Sequence, residues 1–167
     1  EDRGAYYEEA GVVRDMIQNH IMQLLCLVAM EPPVAFDAEA VRNEKVKVLR
    51  ALRPIGANDV EQFAARGQYG SGLLAGGPVP AYRSETGVSP QSATETFAAV
   101  KFLIDNWGWA GIPFYVRSGK CLPKQATEIS IEFRRAPHLL FGGTSADRLE
   151  ANVLALRIQP DEGIALE

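Results

Sequence analysis

The chain has 167 residues, 47% of them hydrophobic and 23% charged, with a formal net charge of −4. That is enough for one domain with a sizeable core. The acidic balance, with basic clusters no larger than pairs such as Arg134-Arg135, excludes nucleic acid as the main partner. The apolar run 21–30 is half of the roughly 20 residues that a membrane span needs, so no membrane partner is expected.

The first element is a long helix over residues 12–30. Val12, Val13, Met16, Ile17, Leu24, Leu27 and Val28 recur at three- and four-residue spacing. Gly11 precedes the run and Pro32-Pro33 closes it. On α-helical geometry Asp15, Asn19 and Gln23 form a polar stripe, with His20 beside it. A helix this apolar is expected to be largely buried, so its polar side chains need partners. Asp37 then looks like the N-cap of an amphipathic helix over 38–52, stopped by Pro54. Residues 60–69 allow a short strand, and the Gly- and Pro-rich stretch 70–87 reads as a long surface loop.

A second helix is expected from Ser92 or Thr94 through Ile104. Strands follow at 113–117, at 127–133, where Ile129, Ile131 and Phe133 alternate with Glu128, Ser130 and Glu132, and at 153–158. A turn at Pro160-Asp161-Glu162-Gly163 leads into a last strand at Ile164. Helices first and strands later favour an α+β fold, with helices packed on one face of a mainly antiparallel sheet. Residues 1–167 are expected to form a single partial domain. The chain opens on Glu1 without Met and stops inside a strand, which suggests a piece of a longer protein.

Cys26 and Cys121 make no disulfide framework, and a reduced Cys26 in an apolar helix suits the cytosol. His20 and His138 are the only histidines, and neither belongs to a spaced ligand set, so no metal is expected. Gly70-Ser71-Gly72 and Gly76-Gly77 do not lie between a strand and a helix, so no dinucleotide fingerprint is present. His20 is the strongest candidate base: partial burial against Met16, Ile17 and Leu24 would keep it neutral and able to accept a proton. The alternative is a core histidine satisfied by backbone or solvent. Five residues of α-helix turn Asp15 well away from His20, so the two are expected to have separate tasks. Lys120 follows a strand end at Ser118-Gly119; its ammonium suits phosphate or sugar hydroxyls, or it is a solvated loop lysine, and Lys124 and Gln125 share that loop. Trp107 and Trp109 read as packing residues.

Several stretches together resemble glucose-6-phosphate dehydrogenase. They are Arg3-Gly4-Ala5-Tyr6-Tyr7, Arg14-Asp15 with Gln18-Asn19-His20, Leu24-Leu25-Cys26-Leu27-Val28-Ala29-Met30-Glu31-Pro32, Val41-Arg42-Asn43-Glu44-Lys45-Val46-Lys47-Val48-Leu49, Arg66-Gly67-Gln68-Tyr69, Thr94-Glu95-Thr96-Phe97-Ala98-Ala99, and Trp109-Ala110-Gly111-Ile112-Pro113-Phe114-Tyr115-Val116-Arg117-Ser118-Gly119-Lys120. The resemblance implies a truncated C-terminal domain of a two-domain dehydrogenase, without the N-terminal Rossmann domain that binds NADP and without its phosphate-gripping motif. It implies oxidation of D-glucose 6-phosphate to the 1,5-lactone with reduction of NADP, in the pentose phosphate pathway, by a cytoplasmic homodimer or homotetramer assembled through the sheet.

By motif, His20 matches the general base. Asp15 matches a substrate-binding aspartate and Lys120 a substrate-contacting lysine, while Gln159 matches a position that approaches substrate in some members. Many members carry a second basic residue where this chain has Gln125, with Lys124 beside it. Arg117 and Arg157 fit the basic pattern of a structural NADP site found in some members, whereas Ala126 and Ser130 do not, and no such site is expected. The isolated chain is expected to be inactive. The rival reading is a non-catalytic dimerisation or interaction domain with a degenerate site.

Overall fold

The computed structural model describes residues 4–74, 76–135 and 150–167. The chain divides into two compact units, Glu1–Cys121 and Leu122–Glu167. The fold is α+β, as expected.

In the first unit, α1 (Gly4–Val12) leads into a π-helical segment, Val13–Ile21, which continues as α2 (Met22–Ala29). The kink between α1 and the π segment is at Gly11, whose φ of 65° and ψ of 168° lie in a region that only glycine visits readily. An added Cβ there would also stand 2.6 Å from Glu95 Oε1. The next helix, α3 (Ala38–Ala51), starts on Asp37, whose carboxylate accepts from the backbone N–H of Glu39 and of Ala40 at 2.9 Å each. Such a cap contributes about 1 kcal/mol. Then come the short α4 (Val60–Phe63) and β1 (Ala64–Gly67).

The expected loop at 70–87 is instead partly ordered. β2 (Gly72–Leu74) and β3 (Gly77–Val79) form a small antiparallel hairpin, and a 3-10 turn, Tyr82–Ser84, buries Tyr82. The ring of Tyr82 meets that of Tyr69 edge-on at 5.6 Å, which anchors a stretch that composition alone marks as surface.

The second expected helix is a strand. β4 (Phe97–Leu103) is the centre of an antiparallel sheet in the order β1-β4-β5, with β5 spanning Pro113–Gly119. A short, mostly apolar run such as this one, broken only by Lys101, cannot be told from a buried helix by periodicity. The register pairs Phe102 with Phe114 and Val100 with Val116, so even-numbered residues of both strands share one face.

The helices pack on that face. One cluster joins Leu25, Cys26, Ala29, Val48 and Ile104 to Phe102, Trp109, Phe114 and Val116; a second joins Tyr7, Val12, Ile17 and Ala98 to Phe102 and Val116. Trp109 donates its indole N–H to the carbonyl of Ala29 at 2.9 Å and closes the end of α2. Trp107, expected to pack, is fully exposed. The odd face of the sheet carries Lys101, Tyr115 and Arg117 and is open, with Tyr115 76% exposed.

The second unit is an antiparallel meander of β6 (Thr127–Glu132), β7 (Val153–Gln159) and β8 (Gly163–Leu166). β6 alternates as expected, with Ile129 and Ile131 half-buried and Glu128, Ser130 and Glu132 exposed, but it ends one residue short and Phe133, expected on the apolar face, is exposed. β7 and β8 pair as a hairpin that closes on Arg157 opposite Gly163.

Candidate functional site

Of the candidate residues of the first unit, Asp15 and Lys120 are each reached by a tyrosine of α1 near its junction with the π segment, and His20 lies in the last turn of that segment. The loop before β4 builds that junction. The carbonyl of Glu95 accepts from the N–H of Val12 at 3.0 Å, and Glu95 Oε1 accepts from the N–H of Val13 at 3.4 Å. One residue thus receives two of the donors that a helix start leaves free.

The π register changes the geometry that the sequence suggests. In an i→i+5 ladder each turn holds more residues than an α turn, so residues five apart lie closer in angle than they do on an α-helix. The ladder is seen directly where the N–H of Met22 bonds the carbonyl of Ile17. Asp15 and His20 are five apart, so the α-helical angle that separates them does not apply. They are nonetheless not joined: Asp15 Oδ1 accepts from the hydroxyl of Tyr6 at 3.2 Å, and no hydrogen bond links Asp15 to His20 among the described residues. The expected burial of His20 is also corrected. Gln18, Asn19 and His20 are exposed, because the π segment turns them away from the sheet while Ile17 faces it. Gln23, at the start of α2, is satisfied within the protein by Lys45 of α3 at 2.9 Å.

Lys120 lies just beyond β5. Its backbone N–H donates to the carbonyl of Thr96 at 2.9 Å, and its ammonium stands 4.9 Å from the centre of the Tyr7 ring. Tyr7 is 4% exposed and its hydroxyl has no hydrogen-bond partner in the described structure. Burial first, then the nearby Asp15 and Glu95 carboxylates, push its phenol up to about 12. Consecutive tyrosines of α1 therefore reach two candidate residues, Tyr6 touching Asp15 and Tyr7 touching Lys120.

Behind them, Glu8 accepts from the hydroxyls of Tyr82 at 3.0 Å and Ser92 at 2.9 Å, and its carbonyl accepts from Thr94 Oγ1 at 3.3 Å. Gln68 Nε2 donates to the carbonyl of Thr94 at 2.6 Å, and Arg83 Nε donates to that of Ser92 at 2.9 Å. This polar network holds the Ser92–Thr96 stretch against α1. Sequence reasoning missed Tyr6, Tyr7, Glu8 and Glu95. The only available signal was that buried tyrosines and acids beside a helix start need partners.

Gln125 and Gln159 belong to the second unit. Gln125 is exposed ahead of β6, and Gln159 is exposed at the end of β7, opposite Thr127. Among the described residues no three His, Cys, Asp or Glu side chains could hold a metal ion, and His138 lies outside them. No described helix is long and apolar enough to cross a membrane. The glycines at 70–77 flank or form the β2-β3 hairpin rather than opening a helix, so the residues present do not fit a dinucleotide pyrophosphate.

Open depressions of the first unit include two along its sheet. One, of about 230 Å³, is lined by Arg53, Asp59, Phe63 and Lys101 among others. The other, of about 490 Å³, lies along β1, β4 and β5 beside Tyr115 and Arg117. Neither is lined by Asp15, His20 or Lys120; His20 and Lys120 are exposed and Asp15 is half-buried.

A family model for the C-terminal domain of glucose-6-phosphate dehydrogenase matches residues 1–167. The chain is 52% identical to the glucose-6-phosphate 1-dehydrogenase of Bacillus subtilis over 99% of its length, and 55% identical to that of Rhizobium meliloti over 98%. It spans about a third of either relative, 34% and 33%. Among solved structures, a glucose-6-phosphate dehydrogenase in complex with its substrate glucose-6-phosphate matches 99% of this chain with a TM-score of 0.84 at 43% identity, covering 32% of that chain. The enzyme from Mycobacterium avium matches 99% with a TM-score of 0.82 at 39% identity, covering 33% of that chain. The chain belongs to the glucose-6-phosphate dehydrogenase family and corresponds to its C-terminal domain.

Proposed function

We propose that this chain is the substrate-binding and self-association part of a cytoplasmic enzyme that oxidises D-glucose 6-phosphate to 6-phospho-D-glucono-1,5-lactone, feeding the pentose phosphate pathway. His20 takes the proton from the C1 hydroxyl as the carbonyl forms. Asp15 accepts hydrogen bonds from the sugar hydroxyls. Lys120 donates to sugar or phosphate oxygens, and Gln125 and Gln159 supply further contacts. NADP, the proposed hydride acceptor, supplies the oxidising chemistry and is held outside this chain.

The observation that carries this reading is the shared junction. An exposed imidazole and a carboxylate share the π segment five residues apart, and the helix before it supports, through Tyr7, a lysine with no carboxylate partner among the described residues. An exposed His20 is free to meet a substrate, whereas a core histidine would be enclosed. The open odd face of the β1-β4-β5 sheet, with Tyr115 at its centre, suits self-association into a homodimer or homotetramer.

The test uses the full-length enzyme that carries this segment, in a glucose 6-phosphate and NADP assay. The full-length protein should turn over, and the isolated chain should not. His20→Asn should lower kcat by about 10²–10⁴-fold, the usual worth of general base catalysis. Turnover close to that of the unmodified enzyme would remove His20 from the role of base.

A further inference from the structure

We propose that Tyr7 is a positioning residue for Lys120, its buried ring acting as a platform that holds the ammonium at the substrate side of the α1 junction. This rests on the reading of Lys120 as a substrate contact. Three observations carry it. The ammonium lies 4.9 Å from the ring centre, within the reach of a cation–π contact. The ring cannot move aside, because Tyr7 is 4% exposed and packs with Val12, Ile17 and Ala98. Lys120 has neither an ion pair nor a side-chain hydrogen bond among the described residues.

A carboxylate partner would occupy the N–H donors of Lys120 and hold its charge. A ring face attracts the cation while leaving all three donors free for oxygen acceptors. The neutral phenol suits this task, and burial with the neighbouring Asp15 and Glu95 charges keeps it neutral. The unpartnered hydroxyl is not needed for the contact; the ring is. Lys120 is also fixed from its backbone, through the N–H bond to Thr96. Ring and backbone together restrict a long side chain that would otherwise lose its freedom only on binding.

The test uses the full-length enzyme. Tyr7→Leu should raise KM for glucose 6-phosphate about threefold to tenfold with kcat little changed, and Tyr7→Phe should restore the low KM. In a Lys120→Ala background, Tyr7→Leu should add almost nothing, the non-additivity expected of two groups acting through one contact. Reductive ¹³C-methylation gives a readout that needs no damaged core: the Lys120 methyl resonance, identified by its loss in Lys120→Arg, should be displaced upfield by the ring, and equally so in Tyr7→Phe. An undisplaced Lys120 resonance overturns the proposal, even if Tyr7→Leu does not fold. So does an unchanged KM in Tyr7→Leu, or full additivity with Lys120→Ala. If Lys120→Ala itself leaves KM unchanged, the substrate role of Lys120 fails first. If it raises KM and Tyr7→Leu does not, only the platform fails.

Discussion

Two halves of one helical rod behave differently. The π-helical half, Val13–Ile21, exposes Gln18, Asn19 and His20 and donates its first backbone N–H to Glu95. The α-helical half, Met22–Ala29, buries Leu25, Cys26 and Ala29 against α3 and the sheet. Burial also keeps the Cys26 thiol protonated, with its pKa raised despite the opposing pull of Lys45. One half presents polar groups and the other anchors them. The division follows from where the apolar side chains fall: the π half buries Ile17, with Met16 and Ile21 partly buried beside it, on one side only, whereas α2 places Leu25, Cys26 and Ala29 together in the core.

The contrast can be broken most directly by paired substitutions. The large kcat loss of His20→Asn should come with a stability change within about 0.5 kcal/mol, as for an exposed position. Leu25→Ala should do the opposite, costing about 2–5 kcal/mol in urea unfolding while leaving KM and kcat of the folded enzyme nearly unchanged. A large stability loss in His20→Asn would show that the exposed side of the π half also anchors.

Gly11→Ala sharpens the boundary between α1 and the π half. A Cβ at φ 65° and ψ 168° should cost about 1–3 kcal/mol. It would also push on Glu95 Oε1, so kcat should fall together with Tm, unlike in Leu25→Ala. A Tm loss with full activity would mean that Glu95 does not set the register.

The smallest effect concerns the tyrosines around α1. Tyr7 and Tyr82 are both raised from 10.0 to about 12, chiefly by burial, with Asp15 next for Tyr7 and the Glu8 hydrogen bond next for Tyr82. A raised folded pKa means that the folded state holds the proton longer. Their contribution is therefore complete below pH 10 and is lost as pH rises toward 12. Urea unfolding across that window should show a loss on the order of 1–2 kcal/mol per group, and Tyr7→Phe should flatten the Tyr7 share. An unchanged slope in Tyr7→Phe would contradict the shift.

Much of the scaffold was legible in the residues. Asp37 announced α3, alternation announced β6, and the Pro160–Gly163 turn announced the β7-β8 hairpin. Central strand β4 was not, because an apolar run without alternation fits helix and strand equally. The fold of 70–87 was hidden because one buried aromatic, Tyr82, outweighs a glycine-rich composition. Of the site, His20, Asp15 and Lys120 could be nominated by residue type and family resemblance. Their supports could not, since the links from Tyr6, Tyr7 and Glu95 depend on distant segments meeting.

The π segment also makes chain length a functional variable. Each of its turns holds more residues than an α turn, so the relative placement of Asp15 and His20 is stored in a residue count as much as in residue identity. Substitutions at Gln18 or Asn19 leave that count intact. Deleting either would let the rod rewind toward an α-helix, and the tighter turns would offset most of the rotation that the lost residue causes. Asp15 and the imidazole would then stand at i, i+4, on one face. The loss of one residue here should therefore show in the spacing of these two groups rather than in the packing of α1 and α2.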